Sequence, residues 1–206
     1  MNILEQIRIE SFSQFKKGVL ICAIIFGTLY IEMNMTDNKP KMARQPDFVY
    51  NDSKEFIEAL DSCISWLEKD TIIYQRIPRE ITIAQAVLES DYGNSRFATE
   101  GNNLFGIRTW DLNKPHLKPF GDPDSIFGVK VFKNKCDSVK DYFRILNTGS
   151  AFEEFRQLRF KMIKNDKINV YDLVETLNRF ATDPNYVKLV KQTIKRLENE
   201  RISTTN

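Results

Sequence analysis

The stretch "AQAVLESDYGNSRFATEGNNLFGI", Ala84 to Ile107, decides how this chain is read. It opens inside the helical pattern "PREITIAQAVLES", where Pro78 suits a first helical turn and Ile81, Ala84, Val87 and Leu88 form a buried stripe. Glu89 falls where that helix is about to end. Two turns rich in glycine, asparagine and serine follow, with Gly93 and Gly106 supplying the backbone freedom that tight turns need. A carboxylate beside Val87, Leu88 and Tyr92 is costly to ionise, which raises its pKa and can keep it protonated near neutrality. An acid of that kind, held at a cleft, can give its proton to a leaving oxygen. The competing reading is a solvated glutamate at a helix end, and "LES" alone favours it.

On the N-terminal side, "DSKEFIEALDSCISWLEKDTIIYQRI" carries Phe56, Leu60, Ile64 and Leu67 at helical spacing, with Asp52 or Ser53 as N-cap. On the C-terminal side, residues 101–132 are rich in glycine and proline, and "SIFGVKVF" is the nearest approach to a strand pair. Helical patterns then return in "DSVKDYFRILNT", "SAFEEFRQLRFKMIK", "NVYDLVETLNRF" and "DPNYVKLVKQTIKRLENER". The expected fold is mainly α, with one small β-like or irregular lobe between the helices. A ligand site is expected in the cleft where lobe and helices meet.

With 206 residues, 42% hydrophobic, the chain has room for one ordinary domain and a short appendage. A formal net charge of +2 gives no electrostatic case for nucleic acid. His116 is the only histidine, so a two-histidine metal site within one chain is excluded, and no metal is expected. In "FKKGVLICAIIFGTLYIEMNM", Lys16 and Lys17 precede an uncharged run from Gly18 to Ile31. That run is short of the roughly 20 residues of a membrane span and fits the apolar region of a signal segment. Bulky Leu29, Tyr30 and Ile31 offer no small-residue cleavage site. The expectation is an N-terminal hydrophobic helix that anchors residues 1–32 to the membrane and exports the rest. Residues 33–51, polar with two prolines, read as a linker, 52–200 as the folded domain and 201–206 as a tail. Cys63 and Cys136 admit two readings, a disulfide or two buried thiols.

Four motifs in order carry a resemblance. Glu89-Ser90-x-Tyr92-Gly93-x-Ser95 is followed by Asn102-Asn103-Leu104-Phe105-Gly106-Ile107. Then come "VKVFKNKCDSVKDYFRILNTGSAFEEFRQLR" and "FATDPNYVKLVKQTI". Together they resemble the glucosaminidase domains of bacterial cell-wall hydrolases, in particular the Bax-like branch, over Ser53 to Leu197. The resemblance implies a lysozyme-like helical fold and cleavage of the N-acetylglucosaminyl-β-1,4-N-acetylmuramyl bond of peptidoglycan, without a cofactor. It places Glu89 at the catalytic acid and Asn102, Asn103 and Phe105 in a cleft-shaping, substrate-binding loop. Peptidoglycan strands are the implied partner, and the implied setting is the bacterial envelope. There the domain would lie in the periplasm on its inner-membrane anchor, or be secreted if the anchor is cut.

Phe180 stands where the family's "YATDP" has an aromatic hydroxyl, which leaves Tyr186 as the nearby substitute; Tyr186 as a packing residue is the equal alternative. Members often have a second carboxylate in the irregular lobe. Here Asp122 and Asp124 are the candidates to activate water, and both suit turn chemistry beside Pro123. Inversion and assistance by the substrate's own acetamido group both remain open. Tyr92, Phe180 and Trp110 are further candidates for sugar contact, with burial the competing reading for Trp110. Three rival functions stand beside this one. They are a non-catalytic glycan-binding protein on the same fold, a lytic transglycosylase, and a cysteine peptidase using Cys63 or Cys136 with His116.

Overall fold

The computed structural model describes residues 44–164 and 167–204. The expected N-terminal anchor, 1–32, and most of the expected linker lie outside the described residues. Among the described residues no helix is long and apolar enough to cross a membrane.

Seven α-helices account for most of the domain: α1 (Ser53–Glu68), α2 (Arg79–Ser90), α3 (Arg96–Gly101), α4 (Lys135–Thr148), α5 (Glu153–Lys164), α6 (Val170–Glu175) and α7 (Tyr186–Thr204). Short 3₁₀ turns, Ile73–Gln75 and Ser150–Phe152, join the longer helices. Asp52 caps α1 by accepting from the Glu55 N–H, as its position suggests. Pro78 stands just outside α2 as its N-cap. The fourth helix begins earlier than "DSVKDY" suggests, because the Asn134 side chain accepts from the Asp137 N–H and caps it. The reach of α6 is shorter than its pattern, since successive turns follow Thr176.

Helix α2 is the axis of the domain. Ile81 to Val87 are buried without interruption, so the helix has no solvent stripe over those two turns. It packs on α1, α6 and α7. From α1, Phe56, Leu60, Ile64 and Leu67 face this core, joined by Val139 and Leu146 of α4 and Val190 and Ile194 of α7.

The lobe is a three-stranded antiparallel sheet of minimal strands, β1 (Arg108–Thr109), β2 (His116–Leu117) and β3 (Gly128–Lys130). Their order is β1-β3-β2, with Arg108 opposite Val129 and Leu117 opposite the same residue. The stretch "SIFGVKVF" is therefore not a strand pair but supplies one central strand. A side chain at Gly128 would collide with the His116 ring, so the close approach of β2 and β3 needs glycine there.

One further feature differs from the sequence reading, and another decides between its alternatives. The described end of the linker, 44–51, is packed onto the domain as a strap. Phe48, Tyr50 and Phe56 form an aromatic trio, and the Tyr50 hydroxyl donates to the Gly93 carbonyl at 2.8 Å. Cys63 of α1 and Cys136 of α4 are joined as a disulfide, with their Cα atoms 5.5 Å apart. That removes the free-thiol reading, and with it the nucleophile of a cysteine peptidase.

Candidate active site

The end of α2 is built to stop abruptly. Asp91, Tyr92 and Gly93 follow one another in the left-handed region, at φ 50°, 52° and 79°. Two such non-glycine residues in a row cost on the order of 1 kcal/mol each or more. Ser90 offsets that cost, since its hydroxyl donates to the Ala86 carbonyl at 2.6 Å and accepts from the Gly93 N–H at 2.8 Å. Glu89 is thereby fixed on the last turn, with its side chain half-buried.

Thr82, Gln85 and Glu89 share one face of α2, at i, i+3 and i+7. Tyr142 of α4 and Tyr186, the first residue of α7, close over that face. The Tyr142 hydroxyl donates to Gln85 Oε1 at 2.5 Å, and Gln85 Nε2 donates to the Tyr186 oxygen at 2.7 Å. The Tyr186 hydroxyl lies beside the Glu89 carboxylate, close enough to influence its titration. Burial raises the Glu89 pKa above its ordinary value, and the neighbouring Tyr186 hydroxyl opposes that rise without cancelling it. Both phenols are pushed up as well, first by burial and then, in part, by the charge of Glu89, so they act as neutral hydroxyls.

Aromatic rings wall the site. Phe105 stacks on Tyr142 with centroids 4.1 Å apart, Phe180 stacks on Tyr186 at 5.7 Å, and Tyr142 meets Phe180 edge-on at 5.9 Å. The "NNLFGI" loop passes directly beside the acid, since a Cβ at Gly106 would sit 3.9 Å from Glu89 Oε2. Gly106 has φ 61°, which suits glycine on a second count.

Of the expected substrate-binding residues, several serve the loop itself. Asn103 is 1% exposed. Its Nδ2 donates to the carbonyls of Ile107 and Lys130 at 3.0 and 2.9 Å, and its Oδ1 accepts from the Phe105 and Ile107 N–H groups. The amide's capacity is filled by backbone, so Asn103 holds the loop to β3 and has nothing to offer a sugar. Asn102, left-handed at the end of α3, donates to the Phe132 carbonyl at 3.1 Å, and Phe105 is buried. The structure thus corrects the expectation of direct contact for Asn103 and Phe105, which support the wall from behind.

Tyr92 turns away from the acid. Its ring meets Phe56 at 6.1 Å, Arg196 lies over it at 5.8 Å, and it lines a groove of about 640 Å³ between α1, α2 and α7. Glu80 and Ile83 of α2 line the same groove and Glu89 does not. Nine residues on from Glu80, at about 3.6 per turn, Glu89 lies half a revolution round the helix. That groove is therefore on the opposite face from the acid.

In the lobe, Trp110 is 67% exposed, with its ring 6.4 Å from Phe127, so burial is not its fate. Asp122 and Asp124 are exposed in the turn around Pro123, where the Ser125 N–H bonds to the Asp122 carbonyl at 3.4 Å. The structure brings Tyr186, Phe180 and the Gly106 loop to Glu89, and leaves the two aspartates in a solvated turn. Sequence reading missed Gln85 and Tyr142. The available signal was a glutamine amid the apolar residues of α2, one turn before the candidate acid. Among the described residues no cluster of three or more His, Cys, Asp or Glu side chains is placed to hold a metal ion.

The chain is 29% identical over 152 residues to an N-acetylmuramoyl-L-alanine amidase domain-containing protein of Staphylococcus aureus, covering 70% of this chain and 24% of that one. It is 28% identical over 107 residues to protein bax of Escherichia coli, covering 52% and 37%. It is 27% identical to the exo-glucosaminidase LytG of Bacillus subtilis, covering 66% and 50%. The chain thus spans no more than half the length of these curated relatives. In solved structures it shares its fold with the catalytic domain of the autolysin Auto from Listeria monocytogenes, with a TM-score of 0.53, 23% identity, and coverage of 80% of this chain and 93% of that one. The model of the family described as mannosyl-glycoprotein endo-beta-N-acetylglucosaminidase matches residues 69–199, well over half of the chain, which therefore belongs to the glucosaminidase family.

Proposed function

We propose that this chain hydrolyses the N-acetylglucosaminyl-β-1,4-N-acetylmuramyl bond of peptidoglycan as an endo-β-N-acetylglucosaminidase, with Glu89 as general acid. The observation that carries the reading is a half-buried glutamate with a raised pKa, at a helix end beside a glycine loop. A carboxyl whose ionisation is disfavoured by burial can give its proton to the glycosidic oxygen as the bond to the anomeric carbon breaks. Tyr186, beside the acid, takes the second place in the site. Once Glu89 has released its proton, the Tyr186 hydroxyl stabilises the carboxylate left behind. Water completes the reaction at the anomeric carbon, from the leaving group's face where the substrate's acetamido oxygen has first displaced that group from the opposite face, and from the opposite face where an aspartate activates the water directly. With Asp122 and Asp124 in an exposed turn, the substrate's own acetamido group is the better-supported assistant, and the aspartates are the second choice. Trp110, exposed on the lobe, would stack on a sugar face. Glycan strands of the envelope are the proposed partner.

The test is digestion of purified peptidoglycan by the full chain and by its Glu89→Gln variant, with products read by mass spectrometry. N-acetylglucosamine reducing ends from the wild type alone support the reading. Anhydro-muramyl ends would make the chain a lytic transglycosylase, and binding without any new ends would make it a glycan-binding module.

A further inference from the structure

A phenol has one hydrogen to give, so the role of Tyr186 depends on where that hydrogen points. Gln85 decides this. Its amide has a donor end and an acceptor end, and the donor end faces Tyr186, with Nε2 2.7 Å from the hydroxyl oxygen. The lone-pair side of Tyr186 is then occupied, and its hydrogen is left for Glu89. Were the amide turned over, its carbonyl would take that hydrogen and the acid would lose its donor. Tyr142 opposes such a flip, because its hydroxyl donates to Gln85 Oε1 at 2.5 Å and would face an NH₂ group instead. Gln85, Tyr142 and Tyr186 are all buried, so water does not stand in for any of them. The titratable groups facing Glu89 are Tyr186 from α7 and Tyr142 from α4.

We propose that Gln85 and Tyr142 are positioning residues that act through Tyr186, locking its hydroxyl as a donor to Glu89 and so setting where the acid titrates. The relay spans three helices, joining residues 57 and 101 positions apart in the chain. It rests on the reading of Glu89 as the acid. Its consequence is directional. A hydrogen bond donated to the carboxylate favours the ionised form, so every break in the relay moves the acid's titration to higher pH. Tyr142→Phe is the least invasive break, since it removes one oxygen and keeps the ring stacked on Phe105.

The experiment is a ¹³C NMR titration of the Glu89 side-chain carboxyl in the full chain, with the resonance assigned by its loss in Glu89→Gln. Wild type is compared with Tyr186→Phe, Gln85→Met and Tyr142→Phe. The titration is expected to move to higher pH in all three, furthest in Tyr186→Phe, and the alkaline limb of hydrolysis to move with it. A Tyr142→Phe titration that superposes on wild type, or moves down, while Tyr186→Phe moves up, overturns the relay. A merely structural role for Tyr142 would lower activity at every pH and leave the carboxyl where it was. Hydrolysis that survives Glu89→Gln would remove the acid reading while leaving these titrations standing, so the two failures are distinct.

Discussion

Glu89 is held in a place that suits chemistry better than it suits the fold. Burial raises its pKa above the ordinary value of 4.5, so between that value and the raised one the folded state binds more protons than the unfolded state. Stability therefore falls as pH rises through the window and is recovered as pH falls back to the unfolded pKa. The neutral isostere Glu89→Gln escapes this cost. Thermal denaturation at a series of pH values is expected to show the variant more stable than wild type above the window, with the gap closing below pH 4.5. A gap independent of pH would mean that burial of the charge is not its source. At this scale the sequence was legible where a residue's neighbours in the chain are also its neighbours in space. Glu89 was picked out by the contiguous motif it opens, since "LES" alone favours a solvated glutamate. Gln85 could not be read, because its partners Tyr142 and Tyr186 arrive from other helices. Asn103 was misread for the same reason, since the carbonyl of Lys130 that claims its amide is 27 residues away.

Helices were legible through their apolar spacing, and their ends less so. The apolar residues of α1 recur at the spacing that buries them, whereas α4 starts at a cap, Asn134, that lies outside the apolar pattern. The strands were poorly legible because two or three residues are too few to show alternation. The strap 44–51 read as linker because polar residues and prolines carry no period, although Phe48 and Tyr50 bind it to the core. Its clasp is Gly93, where the left-handed backbone and the nearness of Tyr50 and Phe56 both exclude a side chain. Gly93→Ala is expected to lose about 2 kcal/mol or more in urea denaturation, from backbone strain and displaced rings together. A change within about 0.5 kcal/mol, the range of ordinary surface substitutions, would show that the strap gives way freely.

At the scale of the molecule, the disulfide ties the first long helix to the one after the lobe, across 73 residues of chain. Closing a loop of that length in the unfolded state stabilises the fold by about 4 kcal/mol in the chain-entropy account. Urea denaturation of oxidised and reduced protein is expected to differ by about that amount, and coincident curves would show that the bridge adds nothing. Such a bond persists in an oxidising compartment, which suits a domain that works outside the cytoplasm. Its existence was not legible, because two cysteines in different helices say nothing about their separation until the helices are packed. The family was legible, since its motifs lie in short contiguous runs. Those runs hold the proposed acid, the glycine loop and the tyrosine helix, which we propose perform glycoside hydrolysis. The measurement that tests this most directly is digestion of peptidoglycan by the wild-type chain beside Glu89→Gln. New N-acetylglucosamine reducing ends are expected from the wild type and none from the variant. Equal release by both, or release by neither with glycan binding retained, would contradict the proposal.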